Sequence, residues 1–148
     1  MMKTLVIMLA GLLLLHLAPG GLCQGCAAPR THLQLQIDVY YTVVDGMNHS
    51  FNDSIFLTVP QGSSFFDVMA VAQEIDCRRF RFTYTLYVWG AYITSVQGLH
   101  EDSNQHTYWQ LLSNDIPLTL GAGCYAVSDR ERLEVRFSKY PAPGHWPA

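Results

Sequence analysis

Val88-Trp89-Gly90-Ala91-Tyr92-Ile93-Thr94-Ser95-Val96-Gln97-Gly98-Leu99 is followed, across a polar interval, by Thr107-Tyr108-Trp109-Gln110-Leu111-Leu112. Each run is rich in β-branched and aromatic residues, which suit a pleated, half-buried surface. The interval from His100 to His106 carries only polar side chains and reads as a hairpin loop between two strands. Trp89 stands beside Gly90, so a flat ring lies next to backbone that another molecule can approach closely. The pair of runs therefore reads as a hairpin that faces a ligand.

Strand signals surround it. Upstream, Phe80, Phe82, Tyr84 and Leu86 alternate with Arg79, Arg81, Thr83 and Thr85. Before them comes one convincing helix. Ser64 can cap it, Asp67 completes a capping box, and Phe65, Val68, Met69 and Ala72 recur at helical spacing with Ile75 near the same face. Earlier still, Leu33, Leu35, Ile37, Val39 and Tyr41 alternate with polar residues. Asp45-Gly46 marks a turn, and Ile55, Leu57 and Val59 form a returning strand ended by Pro60. Downstream, Asn114-Asp115-Ile116-Pro117 is a turn and Cys124 to Val127 a short strand. Leu133, Val135, Phe137 and Tyr140 close the chain's last strand. Two strands, a helix and further strands predict an α+β fold, a mixed sheet with one helix packed across it.

The N-terminus reads as a secretion signal over residues 1–23. Lys3 supplies the positive start, Leu5 to Leu15 the apolar run, and Ala18-Pro19-Gly20-Gly21 the small residues before a cut after Cys23, with Gly25 as the second choice. The apolar run is shorter than the ~20 residues of a membrane span. Residues 24–31 then form an N-terminal segment, 32–140 the domain, and 141–148 a Pro-rich tail. The expected product is soluble and secreted. The whole chain has 148 residues and a net charge of −3, and losing Lys3 makes the balance more acidic. That excludes a basic surface for nucleic acid or anionic membranes. The 18 aromatic residues all follow the signal, more than one small core needs, so some line a surface. Asn48-His49-Ser50 and Asn52-Asp53-Ser54 are glycosylation sequons, which place the first hairpin's tip in solvent.

After cleavage Cys26, Cys77 and Cys124 remain, enough for one disulfide in an oxidising compartment. The layout suggests Cys77–Cys124, with Cys26–Cys124 as the alternative, and leaves one thiol over. Cys23-Gln24-Gly25-Cys26 has redox spacing but straddles the cut and lacks a strand-to-helix setting. Enzyme signatures are missing: no nucleophile elbow, zinc helix or phosphate loop occurs. Ser95 with His100 and His106 offers a hydroxyl and a base but no third member, and two histidines six apart in a loop are an unspecific metal pair.

Taken together, Trp89-Gly90-x-Tyr92-Ile93-Thr94-Ser95-Val96-x-Gly98-Leu99, Thr107-Tyr108-Trp109-Gln110-Leu111-Leu112-Ser113, Pro117-Leu118 and Gly121 strongly resemble the C-terminal β-domain of the vitamin B12 carriers. That family comprises transcobalamin, intrinsic factor and haptocorrin. Phe66-Asp67-Val68-Met69-x-x-Ala72-Gln73 and Leu133-Glu134-Val135-x-Phe137-Ser138-x-Tyr140 fit the same pattern, so the resemblance runs from about Leu33 to Tyr140. It implies a β-grasp-like domain that caps one face of a corrin ring, here without the carriers' helical domain. It further implies that cobalamin or a related corrinoid is a ligand and not a catalytic cofactor. By position, Val88, Trp89, Gly90, Tyr92, Trp109, Gln110 and Leu111 would form the wall. Aromatic and leucine surface would cover the ring while Gln110 bonds its peripheral amides. A lone cap would bind weakly, or with a partner supplying the second wall. The competing expectation is a secreted interaction module that keeps the fold and docks a second protein or receptor through the same aromatic patch.

Overall fold

The computed structural model describes residues 34–140. The expected signal peptide, the segment 24–31 with Cys26, and the tail lie outside the described residues. Nine elements follow in order: β1 (Gln36–Asp45), β2 (Asn52–Pro60), α1 (Phe65–Ile75), β3 (Phe82–Tyr87), β4 (Gly90–Val96), β5 (Leu99–His100), β6 (Thr107–Ser113), β7 (Ile116–Pro117) and β8 (Glu131–Lys139). They build two sheets, one of five strands in the order β2-β1-β8-β6-β7 and one of three in the order β3-β4-β5. First and last strands lie side by side and parallel, with Val39 opposite Glu131 and Val43 opposite Val135. The other pairings are antiparallel, so the large sheet is mixed. The α+β class and the helix packed on the sheet are as expected.

Alternation along β1 sends Ile37, Val39, Tyr41 and Val43 to the buried face, and Leu133, Val135 and Phe137 of β8 lie on that same side. Against it α1 packs Phe65, Val68, Met69 and Ala72, all fully buried. Burial of each of the three larger side chains is worth roughly 1.5–3 kcal/mol. Ser64 starts the helix as the sequence predicts: its hydroxyl accepts the Asp67 N–H, and the Asp67 carboxylate accepts the Ser64 N–H at 2.7 Å. Two further N–H groups at this end, on Phe65 and Phe66, donate to the carbonyls of Tyr125 and Ala122. The helix start is thus tied to the 121–125 segment. At the far end of β1 the buried Asp45 carboxylate accepts the N–H groups of Met47 and Asn48 at 3.0 Å and the Ser50 hydroxyl at 2.7 Å, which closes the first hairpin.

Several expectations need correction. Val88–Leu99 and Thr107–Leu112 do not form a hydrogen-bonded hairpin. β4 pairs with β3 across the two-residue turn Val88-Trp89, whereas β6 pairs with β8 and sets Trp109 opposite Phe137. The single strand expected up to Leu99 breaks at Gln97-Gly98, whose φ values of +53° and +84° mark a mirror-image hairpin turn. Short loops close at lower entropic cost than long ones, so β4 takes the neighbour two residues away. Tyr84 and Leu86 are exposed, because β3 is an edge strand of the small sheet and both of its faces after Phe82 are open to solvent. Ile75, on the last turn of α1, is 61% exposed. Cys124 to Val127 is no strand; one isolated bridge joins Ser64 to Ala126.

The Cys77–Cys124 bridge is also overturned: both thiols are free and exposed. Cys77 follows Asp76, the C-terminal cap of α1, whereas Cys124 lies in the segment held to the helix N-terminus. Eleven helical residues separate those ends by about 16 Å, far beyond the roughly 7 Å limit between bridged Cα atoms.

Candidate functional site

The two runs that opened the sequence still meet, as neighbouring sheets and not as one hairpin. A cleft of about 330 Å³ opens where β4, β6, the 118–121 segment and Tyr140 come together. Trp89, Tyr92, Trp109, Gln110 and Leu111 of the expected wall line it. Val88 does not; it is fully exposed at the tip of the β3–β4 turn. Gly90 sits at the root of that turn with φ +122°, a value L side chains rarely adopt. A Cβ there would meet only Cys124 Sγ at 3.6 Å. Glycine supplies the backbone conformation that this turn needs.

The two tryptophans have different environments. Trp89 is 54% exposed, its ring stacked on Tyr87 at 4.9 Å and 9° and meeting Tyr92 edge-on at 6.1 Å. Trp109 is 4% exposed. It packs between Phe137 and Phe51, at 4.9 and 6.3 Å, and its Nε1 donates to the Leu99 carbonyl at 3.3 Å. With its polar edge satisfied inside, Trp109 is a core residue that forms floor and not wall. The alternation of β6 decides this: Trp109 turns inward, and Tyr108 and Gln110 share the opposite side.

A second pair of stacked rings lies at the cleft, Tyr108 on Tyr140 at 4.1 Å and 9°. Burial, and then the neighbouring Tyr140 hydroxyl, pushes the Tyr92 phenol well above its ordinary value. Burial also raises Tyr108, with Tyr140 adding to it. Both phenols therefore stay neutral and keep a proton to donate across the physiological range. The 118–121 segment completes the enclosure. Leu118 N–H donates to the Leu111 carbonyl at 2.8 Å, and Gly121 packs beside the start of β4, where a Cβ would touch the Trp89 carbonyl at 3.4 Å. Thr119 and Gln110 are the polar side chains here besides the phenols, and no lining residue is charged. Such a surface suits a largely apolar ligand with a few groups that hydrogen-bond.

Tyr108, Tyr140 and the 118–121 segment were missed from sequence. Period-two alternation along β6 is the signal that could have placed Tyr108 on the side of Gln110. Tyr140 entered only as part of the closing strand, and Leu118 and Gly121 only as part of the matched pattern. Away from the cleft, Ser95 is buried opposite His100 in the β4–β5 register, with its hydroxyl 2.6 Å from that of Thr83. Among the described residues no group of three or more His, Cys, Asp or Glu gathers as a metal site. Asn48 and Asn52 are both exposed on the first hairpin. No helix among the described residues is long and apolar enough to cross a membrane.

Transcobalamin-1 from Homo sapiens is 45% identical over 109 residues, covering 72% of this chain and 24% of that protein. Cobalamin binding intrinsic factor from Homo sapiens is 33% identical over 107 residues, 70% of this chain and 25% of the relative. The chain thus spans about a quarter of the length of these relatives. Among solved structures, haptocorrin in complex with Cbi matches with a TM-score of 0.68 and 44% identity over 73% of this chain and 26% of that one. A putative metal binding protein from Ruminococcus gnavus, 14% identical with a TM-score of 0.52, shares the fold alone. The intrinsic factor is thus a cobalamin-binding protein by name, and the haptocorrin structure holds Cbi as a ligand. Residues 62–139, from the approach to α1 through β8, match the family described as Domain of unknown function (DUF4430). The chain therefore belongs to that family, and it is a homologue of a partial, C-terminal-type domain of transcobalamin, intrinsic factor and haptocorrin.

Proposed function

We propose that this chain is a secreted, non-enzymatic corrinoid-binding cap, and that cobalamin or a related corrinoid lies against the cleft between β4 and β6. One observation carries the reading: an uncharged aromatic cleft, with Trp89 and Gln110 at its wall, occurs in a domain homologous to part of the cobalamin carriers. Trp89 covers apolar ring surface, Tyr92 and Gln110 bond peripheral amides, and Leu111 and Leu118 fill between them. Val88 and Gly90 act through the turn that presents Trp89, and Trp109 acts through the core beneath it.

As a half-site, the cleft leaves one face of a planar ligand to solvent or to a partner. Good pockets enclose most of a ligand's surface, and a half-site forgoes the gain from linking two walls. Affinity for the chain alone is therefore expected to be micromolar or weaker, about −8 kcal/mol at 1 μM. The test is a titration of the purified chain with aquo- and cyanocobalamin, following corrin absorption and tryptophan fluorescence. A saturable quench places a corrinoid on this chain. No change up to high micromolar ligand, with a cooperatively folded sample, removes the proposal and leaves an interaction module.

A further inference from the structure

We propose that the cleft is also the docking site of the chain's own C-terminal segment, Pro141-Ala142-Pro143-Gly144-His145-Trp146-Pro147-Ala148, which competes there with the ligand. The competition rests on the corrinoid reading above; the docking does not. Tyr140, the last described residue, is itself part of the cleft, stacked on Tyr108. Its N–H donates to the His106 carbonyl at 2.8 Å, extending the β8–β6 pairing by one bond before Pro141, which has no N–H to continue it. β8 thus ends at the rim of the cleft.

The segment's chemistry matches what lies there. It holds three prolines and one tryptophan, and His145 is its only ionisable side chain. The cleft offers the rings of Trp89, Tyr92, Tyr108 and Tyr140 with no charged lining. Proline-rich extended segments dock in aromatic-lined grooves of this kind, because their preset backbone loses little entropy on binding. Reach is ample: Trp146 lies six residues beyond Tyr140, which at about 3.1 Å per residue spans roughly 19 Å. A volume of about 330 Å³ admits an indole with a neighbouring proline ring. So short a tether gives an effective concentration in the millimolar range, so even weak intrinsic docking is populated.

Amide NMR spectra of the full chain, of a chain ending at Tyr140, and of Trp146→Ala in the full chain decide the docking. Tyr92 and Leu118 should shift on truncation, shift alike in Trp146→Ala, and return when a synthetic peptide of residues 141–148 is added at millimolar concentration. Changes confined to the immediate neighbours of Tyr140 overturn the proposal. Shifts at Tyr92 and Leu118 that depend on protein concentration also overturn it, because they assign the cleft to a second copy. Cyanocobalamin titration of the same three proteins tests the competition. Truncation and Trp146→Ala should each tighten binding by about two- to tenfold; unchanged affinity refutes competition. If no form binds corrinoid, the functional reading fails while the NMR comparison still decides the docking.

Discussion

Replacing each tryptophan in turn separates wall from core. Trp109 is sealed between Phe51 and Phe137 with its N–H bonded, so Trp109→Ala leaves a large cavity. Aromatic truncations of this kind cost about 3–5 kcal/mol. That is a large share of the roughly 5–15 kcal/mol that holds a small domain together. Trp89 loses only its stack on Tyr87 and its edge contact with Tyr92, both at a solvent-exposed turn, for about 0.5–1.5 kcal/mol. In urea unfolding, Trp109→Ala should lower the midpoint by more than about 1 M, and Trp89→Ala by well under that. Ligand binding should reverse the order among molecules that remain folded. Trp89→Ala removes a central aromatic anchor and should weaken corrinoid binding by about 2 kcal/mol, near 30-fold. Trp109→Phe, which largely keeps the core filled, should change binding by less than about threefold. Equal stability losses for the two alanine variants, or unchanged binding in Trp89→Ala, would refute this division of roles.

Further outcomes follow from single sites. The Tyr41 hydroxyl is fully buried and finds no partner among the described residues, so Tyr41→Phe should leave stability unchanged or raise it by about 1 kcal/mol; a loss above that contradicts the packing. Burial opposes ionisation of Asp45, but the N–H groups of Asn48, Met47 and Ser50 and the Ser50 hydroxyl outweigh it and hold the carboxyl below its ordinary value. Its stabilisation is therefore complete above about pH 4 and is lost as pH falls further, through the lowered folded-state value. Asp45→Asn should cost about 1–3 kcal/mol at neutral pH, and melting temperatures should show that gap narrowing in acid. Cys77 and Cys124 should both react with iodoacetamide in the native protein, and peptide mapping should find no bridge between them. Expressed through a secretory pathway, the chain should carry glycans at Asn48 and Asn52, with Asn48→Gln and Asn52→Gln each removing one step of gel mobility that endoglycosidase otherwise removes.

The sequence makes legible what short-range physics controls. The Ser64–Asp67 cap, the helix face through Ala72, the alternation of β1 and the Asp45 turn all appear where local pattern puts them, because each is decided within a few residues. Partner choice is not local. β4 and β6 look like two arms of one hairpin until Gln97-Gly98 is recognised as a turn in its own right and Val88-Trp89 as another. The cysteine pairing failed for a related reason: the bonds from Phe65 and Phe66 to Tyr125 and Ala122 bring Cys124 to the opposite end of α1 from Cys77, and no periodicity encodes them. At the site, Trp89, Tyr92 and Gln110 were visible from residue type. Tyr108 and Tyr140 were not, because their stacking is a contact between strands more than thirty residues apart.

The most direct test of the central claim is NMR mapping of the full chain during addition of cyanocobalamin. The Trp89 indole N–H and the Gln110 side-chain amide should shift progressively and saturate together, while the Trp109 indole, bonded to Leu99 inside the core, moves little. A response confined to the far face of the large sheet around Tyr40 and Phe56, or none at all at saturating ligand, would contradict the account.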